Sequence, residues 1–168
     1  MRTLALSLAL LAATAVGLPM EARARNLMLV SESKTDSYFV DLDDIQGAKD
    51  FIHFRAAPLY RFMSTSQAEQ EGYDFTQVLV GLNCQTPHQI SVLKVTAFDS
   101  TGQVVQSEIT DRDYEDLEWL DAPEDTHFGQ AWQAVCRDRR SDIVVGDVSP
   151  AALLVRVRLQ QAGAAPQD

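Results

Sequence analysis

The sequence predicts an α+β fold, with an antiparallel β-sheet of about six strands, one or two short helices and one disulfide. Three observations lead to this prediction. Several short segments alternate apolar and polar residues, as half-buried strands do. One later segment repeats its apolar residues at helical spacing. The chain also contains two cysteines, Cys84 and Cys136, and its 168 residues are enough for one domain with a sizeable core.

The first 24 residues have the three parts of a bacterial-type secretory signal peptide. Arg2 supplies a positive charge, residues 4–18 form an apolar run, and Pro19 ends that run. Ala22 and Ala24 are the small residues that a signal peptidase accepts, so cleavage is expected after Ala24. The run is shorter than the about 20 residues of a membrane span. We therefore expect a periplasmic or secreted protein that is not membrane-spanning, and no cysteine near this point offers a thiol for lipid attachment.

The predicted strands are the segments with alternating or largely apolar residues. The third predicted strand, residues 50–63, contains Pro58. This proline is expected to mark a sheet edge or a bulge because proline donates no backbone hydrogen bond. The polar segment 64–72, which follows this strand, is predicted to be a loop. In order, the predicted strands are residues 26–30, 37–41, 50–63, 73–84, 89–98 and 102–109.

The last two of these strands are predicted to form a hairpin, because Gly102 lies where the turn between them needs a positive φ angle. A helix is predicted to begin at Asp121, with Glu124 completing a capping box, and to end at Cys136. Trp132 is expected in the core as part of its apolar face. That face consists of Phe128, Ala131, Trp132 and Val135.

Residues 141–168 are expected to be a C-terminal extension of a main domain that spans residues 25–140. Ser149 and Pro150 are typical of a helix start. Residues 153–160 nevertheless alternate as in a strand, and this alternation favours a strand. The last residues, 162–168, are predicted to be disordered.

The two cysteines are interpreted from the compartment that the signal peptide implies. Export brings Cys84 and Cys136 into an oxidising environment, where a pair without a third partner most simply forms one disulfide. The alternative is a reactive or metal-binding thiol. Neither cysteine lies in a CxxC motif, so the disulfide is the favoured interpretation.

No metal site or cofactor is predicted. The histidines His53, His88 and His127 are scattered, without a recognised ligand spacing. The acidic segments 41–44 and 111–118 do not match the calcium-binding loop pattern, which requires glycine and glutamate at fixed positions. These acids are therefore expected to form solvated loops.

The sequence also predicts no catalytic residues and no enzyme. It contains no GxSxG motif, no phosphate-binding glycine loop and no HExxH motif. A carboxylate-dependent hydrolase stays an alternative, because acidic residues are plentiful. The net charge of −10 argues against nucleic acid and anionic membranes as partners, since an acidic surface repels phosphate.

One order of short motifs resembles the bacterial surface-adhesin protein E family over about residues 26–138. The motifs are Asp41 to Ile45, Asn83-Cys84, Phe98-Asp99 with Gly102, Trp119 with Pro123, and Val135-Cys136. The resemblance implies a single antiparallel sheet with a helix packed near one end, closed by the disulfide, and a place in the cell envelope. The best-studied member of the family is a lipid-anchored adhesin that binds host matrix and serum proteins. This chain departs from it in having no lipidation cysteine after the predicted cleavage point.

Three functional hypotheses follow. The first is an exported, non-enzymatic protein-binding module, whose ligand is a host matrix protein or a periplasmic protein, and which uses a sheet edge or loops. The second is a periplasmic inhibitor or accessory subunit of a cationic hydrolase, because opposite charge speeds encounter. The third is the carboxylate-dependent hydrolase.

Overall fold

The computed structural model describes residues 26–48, 51–110, 116–139, 143–146 and 148–163. The predicted signal peptide and residues 164–168 of the predicted disordered end lie outside this part. The described residues form nine strands and three helices, so the α+β prediction is confirmed, with more strands and one more helix than expected. The strands are β1 (Leu27–Glu32), β2 (Asp36–Asp41), β3 (Gln46–Ala48), β4 (Phe51–Met63), β5 (Phe75–Asn83), β6 (Gln89–Phe98), β7 (Val104–Ile109), β8 (Leu120–Asp121) and β9 (Val144–Val145). The helices are α1 (Thr65–Glu71), α2 (His127–Cys136) and α3 (Pro150–Gln161).

All nine strands belong to one antiparallel sheet. Its main order is β7-β6-β5-β4-β2-β1-β9. Two short strands lie off this order: β3 pairs with β4 on the same side as β2, and β8 pairs with β6 on the same side as β7. The long strands β4 and β5 pair from Phe54–Asn83 to Phe62–Phe75 and form the centre of the sheet.

Pro58 does not interrupt the central strand β4. It lies opposite Leu79 of β5. On the other side of β4, the pairing with β3 ends at Ala56 and the pairing with β2 begins at Leu59. The missing N–H of Pro58 therefore falls in the gap between two short partners, which explains how proline fits inside a strand that is central elsewhere.

Alternation along the strands divides the core between the two faces of the sheet. One face carries Val40, Leu59 and Val80, and Trp132 of α2 packs on it. The neighbouring residues Phe39 and Tyr60 point to the other face. That second face is covered by Leu153, Leu154 and Val157 of α3.

The prediction of a loop at residues 64–72 was wrong, because this segment contains α1. The Ser64 side chain accepts a hydrogen bond from the Gln67 N–H at 3.4 Å and caps the helix. Gly72 ends it with a φ angle of 82°, and its N–H donates to the Ala68 carbonyl. The polar composition concealed the helix, since only Ala68 of this helix is buried.

The helix start predicted at Ser149 and Pro150 is confirmed, whereas the strand that alternation favoured over residues 153–160 was wrong, because this segment lies in α3. Ser149 caps the helix by accepting from the Ala152 N–H at 3.2 Å, and Pro150 occupies the first turn. Arg158 then donates to the Met63 carbonyl at 3.0 Å and to the Asp74 carboxylate at 2.6 Å. The apolar face of the sheet selects the helix here, since Leu153, Leu154 and Val157 meet the sheet together only at helical spacing.

Helix α2 begins later than Asp121, which lies in β8. Its cap is Thr126, whose side chain accepts from the Gly129 N–H at 3.0 Å and donates to the Pro123 carbonyl. Gly129 is required by this close approach, because a Cβ there would lie 2.0 Å from the Pro123 oxygen. The predicted capping box at Asp121 and Glu124 was therefore wrong, while the predicted end at Cys136 is confirmed.

Candidate functional site

The two cysteines predicted to pair are joined in the structure. The Cys84–Cys136 disulfide links the residue after β5 to the last residue of α2, with 5.2 Å between the two Cα atoms. Trp132 strengthens the same junction, since its Nε1 donates to the Asn83 carbonyl at 2.9 Å. Trp132 is 1 % exposed, as its predicted place in the core requires. The disulfide and the indole together hold α2 on its face of the sheet.

The three histidines lie in different surroundings. His53 is exposed on β4. The Nε2 atom of His88 lies 3.2 Å from a carboxylate oxygen of Glu124, and its ring lies 4.9 Å from that of Trp132. His127 stacks on Tyr38 with 4.1 Å between ring centroids. The described part of the chain contains no group of three or more His, Cys, Asp or Glu residues that is arranged to hold a metal ion.

The acidic segment 41–44 lies within the described residues, and part of the acidic segment 111–118 does not. Asp41 is buried and accepts from the Asp43 N–H, and the Asp43 carboxylate accepts from the backbone and side chain of Asn26. The first of these acids therefore organises a turn rather than a solvated loop. Residues 111–115 of the second segment lie outside the described residues.

A polar cluster that the sequence did not reveal lies on the α2 face. Arg61 of β4 donates from Nε to Asp36 at 2.6 Å and from Nη2 to Glu71 at 3.0 Å. Glu71 also accepts from Gln67 at 2.8 Å and, through its other oxygen, from the Tyr73 hydroxyl. Arg61 follows Leu59 by two residues, so the period of the strand places it on the inward face. That spacing was the available signal, but its partners could be found only from the tertiary structure.

The environment of this cluster shifts several pKa values. Hydrogen bonds from Tyr73, Gln67 and Arg61 lower the pKa of Glu71 to about 2, so this carboxylate is ionised at neutral pH. Burial, together with nearby Arg61, lowers the pKa of His127, so its ring is uncharged there. Burial raises the pKa of Tyr38, and its phenol stays protonated.

The cluster borders a pocket of about 270 Å³ on the α2 face, which we call the Arg61 pocket. It crosses strands β2, β4, β5 and β6 and is bounded by the first residues of α2. Apolar walls and a few converging polar groups are typical of a ligand site. The lining residues are Tyr38, Leu59, Arg61, Tyr73, Thr76, Val78, Val95, His127 and Phe128.

The second candidate surface is the outer edge of β7. All six residues of this strand are exposed, and they include three β-branched apolar side chains, Val104, Val105 and Ile109. Within the described residues, β7 ends the sheet, with β6 on one side. The Thr110 N–H donates to the Leu93 carbonyl of β6. Because backbone groups alternate along a strand, those of Ser107 and Ile109 point outward.

The fold and the disulfide define a small α+β domain built on one antiparallel sheet and closed by a covalent link to α2. The family model for surface-adhesin protein E matches residues 27–137, from the first residue of β1 to the residue after α2. The chain belongs to the surface-adhesin protein E family. A search of curated proteins and a search of solved structures gave no match.

Family membership and the disulfide indicate an extracytoplasmic, adhesin-like protein. Among the residues that the structure describes, no helix is long and apolar enough to cross a membrane. Strand β9 and helix α3 lie beyond the matched range, yet β9 pairs with β1 and α3 completes the second core cluster.

Proposed function

We propose that this chain is an exported, non-enzymatic protein-binding module that receives an extended segment of a partner protein along β7. The observation that carries the proposal is the open edge of β7, where Val105 and Ile109 are 53 % and 70 % exposed. Soluble proteins protect such edges with lysine, proline or a covering element, because an open edge pairs readily with another strand. The β7 segment VVQSEI contains neither lysine nor proline.

The chemistry of β7 defines the partner segment. A strand added to β7 forms hydrogen bonds with the outward backbone groups of Ser107 and Ile109, and its own side chains supply specificity. Apolar side chains beside Ile109 and a basic one beside Glu108 fit this edge. The net charge of −10 favours such a basic segment further, since complementary charge speeds encounter.

The test compares an edge variant with a matched control. Val105→Lys with Ile109→Lys places charges on the edge, whereas Val155→Lys with Leu159→Lys changes equally apolar, exposed residues of α3. Surface plasmon resonance with purified matrix, serum and periplasmic proteins measures Kd. We expect at least a tenfold weaker Kd for the edge variant and no change for the control. Equal binding by the edge variant, or no binding by any protein of the panel, would contradict the proposal.

The export part of the proposal has a separate test. The signal-peptide pattern of residues 1–24 supports removal after Ala24. Expression of the full chain in a bacterium, followed by intact mass measurement of the periplasmic or secreted protein, should give a chain that begins at Arg25. A full-length mass, or a product confined to the cytoplasm, would contradict it.

The acidic surface supports a second candidate, an inhibitor or accessory subunit of a cationic hydrolase. Binding of this kind weakens steeply with salt, because it depends on long-range charge. The test measures the Kd for a cationic lysozyme-type hydrolase at low and at high salt. An equal Kd in both would contradict the electrostatic basis of this candidate function. The polar cluster lends no support to a carboxylate-pair hydrolase, since such a reaction needs an acid with a raised pKa and the pKa of Glu71 is lowered.

A further inference from the structure

We propose that the Arg61 pocket binds a large apolar or aromatic side chain together with an uncharged carbonyl group beside it, as a peptide segment presents them. The pocket lies on the α2 face, between His127 of α2 and Val95 of β6, and is distinct from the outer edge of β7. The protein source of the peptide rests on the proposed protein-binding function. The chemistry of the pocket follows from its own residues.

The hydrogen-bonding groups that the pocket offers to a ligand are donors. Both oxygens of Asp36 already accept hydrogen bonds, from Arg61 and from the Thr35 hydroxyl. Both oxygens of Glu71 accept as well, from Arg61, Gln67 and Tyr73. A guanidinium has five N–H donors; the two ion pairs of Arg61 use two of them, and a hydrogen bond to the Tyr38 hydroxyl uses a third, so two remain. The cluster therefore has donors to offer, and a ligand that fits it brings an acceptor.

The charges around Arg61 favour an acceptor that is itself uncharged. Asp36 and Glu71 carry two negative charges against the single positive charge of Arg61, so the cluster as a whole is negative. His127 adds no positive charge at neutral pH, because burial lowers its pKa. A ligand carboxylate or phosphate would meet this excess negative charge at short range. An uncharged carbonyl accepts from Arg61 without that repulsion.

A cationic ligand is disfavoured for a different reason. It would have to approach Asp36 or Glu71, whose oxygens are occupied by hydrogen bonds, and it would lie beside the Arg61 guanidinium. Breaking either ion pair would leave a partly buried charge without its partner, which is costly. The charged groups at this pocket therefore favour neutral ligands.

The walls of the pocket are mainly apolar and aromatic. Leu59, Val78, Val95 and Phe128 line the pocket, beside the stacked rings of Tyr38 and His127. These surfaces gain free energy when an apolar group displaces water from them. A volume of about 270 Å³ is just below the range of pockets for drug-sized ligands, so it suits one large side chain with its adjoining peptide group.

The experiment uses small probes that need no partner protein. N-acetyl-phenylalanine amide is neutral, N-acetyl-phenylalanine is anionic and phenethylamine is cationic, while all three share one ring. Titration of the mature protein followed by two-dimensional amide NMR measures each Kd and locates the shifted residues. We expect the neutral amide to bind at least tenfold more tightly than either charged probe, with shifts at Val78, Val95 and Phe128.

Two substitutions locate the binding. Val95 lines the pocket and takes no part in the ion pairs, so we expect Val95→Trp to fill the pocket and abolish binding of the neutral amide. Val155→Trp adds the same ring to the exposed face of α3 and should leave the Kd unchanged. Arg61→Met removes the guanidinium donors and keeps the apolar contacts. We expect it to raise the Kd of the neutral amide at least tenfold.

The proposal is overturned if the neutral amide does not bind, if a charged probe binds as tightly, or if Val95→Trp leaves the Kd unchanged. Should Arg61→Met unfold, the Val95→Trp comparison still decides. Edge variants of β7 serve as a further control, because Val105→Lys with Ile109→Lys should leave the probe affinity intact. Failure of partner binding at β7 and failure of this pocket are therefore separate results.

Discussion

Leu59 and Tyr60 of β4 are each 2 % exposed, whereas Ile109 of β7 is 70 % exposed. Both strands belong to the same sheet and both are rich in apolar residues. They differ in their neighbours. Strand β4 has strands on both sides and helices α2 and α3 on its two faces. Strand β7 pairs with β6 on one side and ends the sheet among the described residues. Burial is therefore a property of position in the sheet, which the apolar pattern of a strand does not report.

The two regions are also expected to contribute differently, the centre to stability and the β7 edge to partner binding. The centre is closed by the Cys84–Cys136 disulfide and by Trp132, so changes there should act on stability. The β7 edge carries few buried contacts, so changes there should act on partner binding. Mutations can test this division directly, and the expected effects on stability decrease from the centre to the edge.

The largest effect is expected when the disulfide is removed. Its cysteines are 52 residues apart, and loop-closure entropy for that separation is about 4 kcal/mol. Cys84→Ala with Cys136→Ala should lower the free energy of unfolding in urea by about this amount. Wild-type protein in a strong reductant is the matched control and should lose a similar amount. A loss below about 1 kcal/mol in both would show that α2 is held by packing without the covalent link.

The next effect concerns the second face, where α3 covers the sheet. Leu154 is 1 % exposed and its neighbour Val155 is 57 % exposed. Leu154→Ala should cost about 3 kcal/mol, because it leaves a cavity against the aromatic residues of the sheet. Val155→Ala should cost less than about 0.5 kcal/mol. Urea unfolding measures both, and equal costs would mean that α3 is not docked on the sheet.

A smaller effect depends on pH and concerns the polar cluster on the α2 face. The pKa of Glu71 in the folded protein is lowered to about 2 from an ordinary value of 4.5. The stability that ionised Glu71 contributes is therefore fully present above pH 4.5 and is lost as the pH falls toward 2. Glu71→Gln should lower stability at pH 7 and weaken the acid dependence between pH 4.5 and 2.

The control for that measurement is Glu69→Gln, since Glu69 is exposed on the same helix. Urea midpoints at pH 7, 4.5 and 3 compare the two variants. If Glu69→Gln alters the acid dependence as much as Glu71→Gln does, the hydrogen bonds that Glu71 accepts from Tyr73, Gln67 and Arg61 are not its source.

The smallest effect on stability is expected at the β7 edge. Val105→Lys changes a side chain that is already 53 % exposed, so the free energy of unfolding should stay within about 0.5 kcal/mol of the wild type. The same substitution, together with Ile109→Lys, is expected to weaken partner binding. A large loss of stability would show instead that residues of this edge are packed in the folded protein, and the contrast between the centre and the edge would not hold.

The sequence determined those features whose signals are local. Gly102, with its φ angle of 86°, and the Asp99 side chain, which accepts from the Thr101 and Gln103 N–H groups, form the hairpin turn that was predicted. The hairpin strands and the end of α2 at Cys136 followed from short patterns of this kind, and the disulfide followed from the oxidising compartment that the signal-peptide pattern implies. The order of those patterns was also sufficient to indicate the family, whose model matches residues 27–137.

Only the tertiary structure decided α1, the choice between helix and strand in α3, the Arg61 pocket and the exposure of β7. The sequence of α3 alternates as a strand does. Its contact with the sheet selects a helix, because Leu153, Leu154 and Val157 reach the same sheet face only at helical spacing. The partners of Arg61 lie 25 and 10 residues away in sequence, so no local pattern connects them. Burial and ion pairing depend on contacts between distant residues, and a pattern that repeats every two or four residues contains no information about which distant residues will meet.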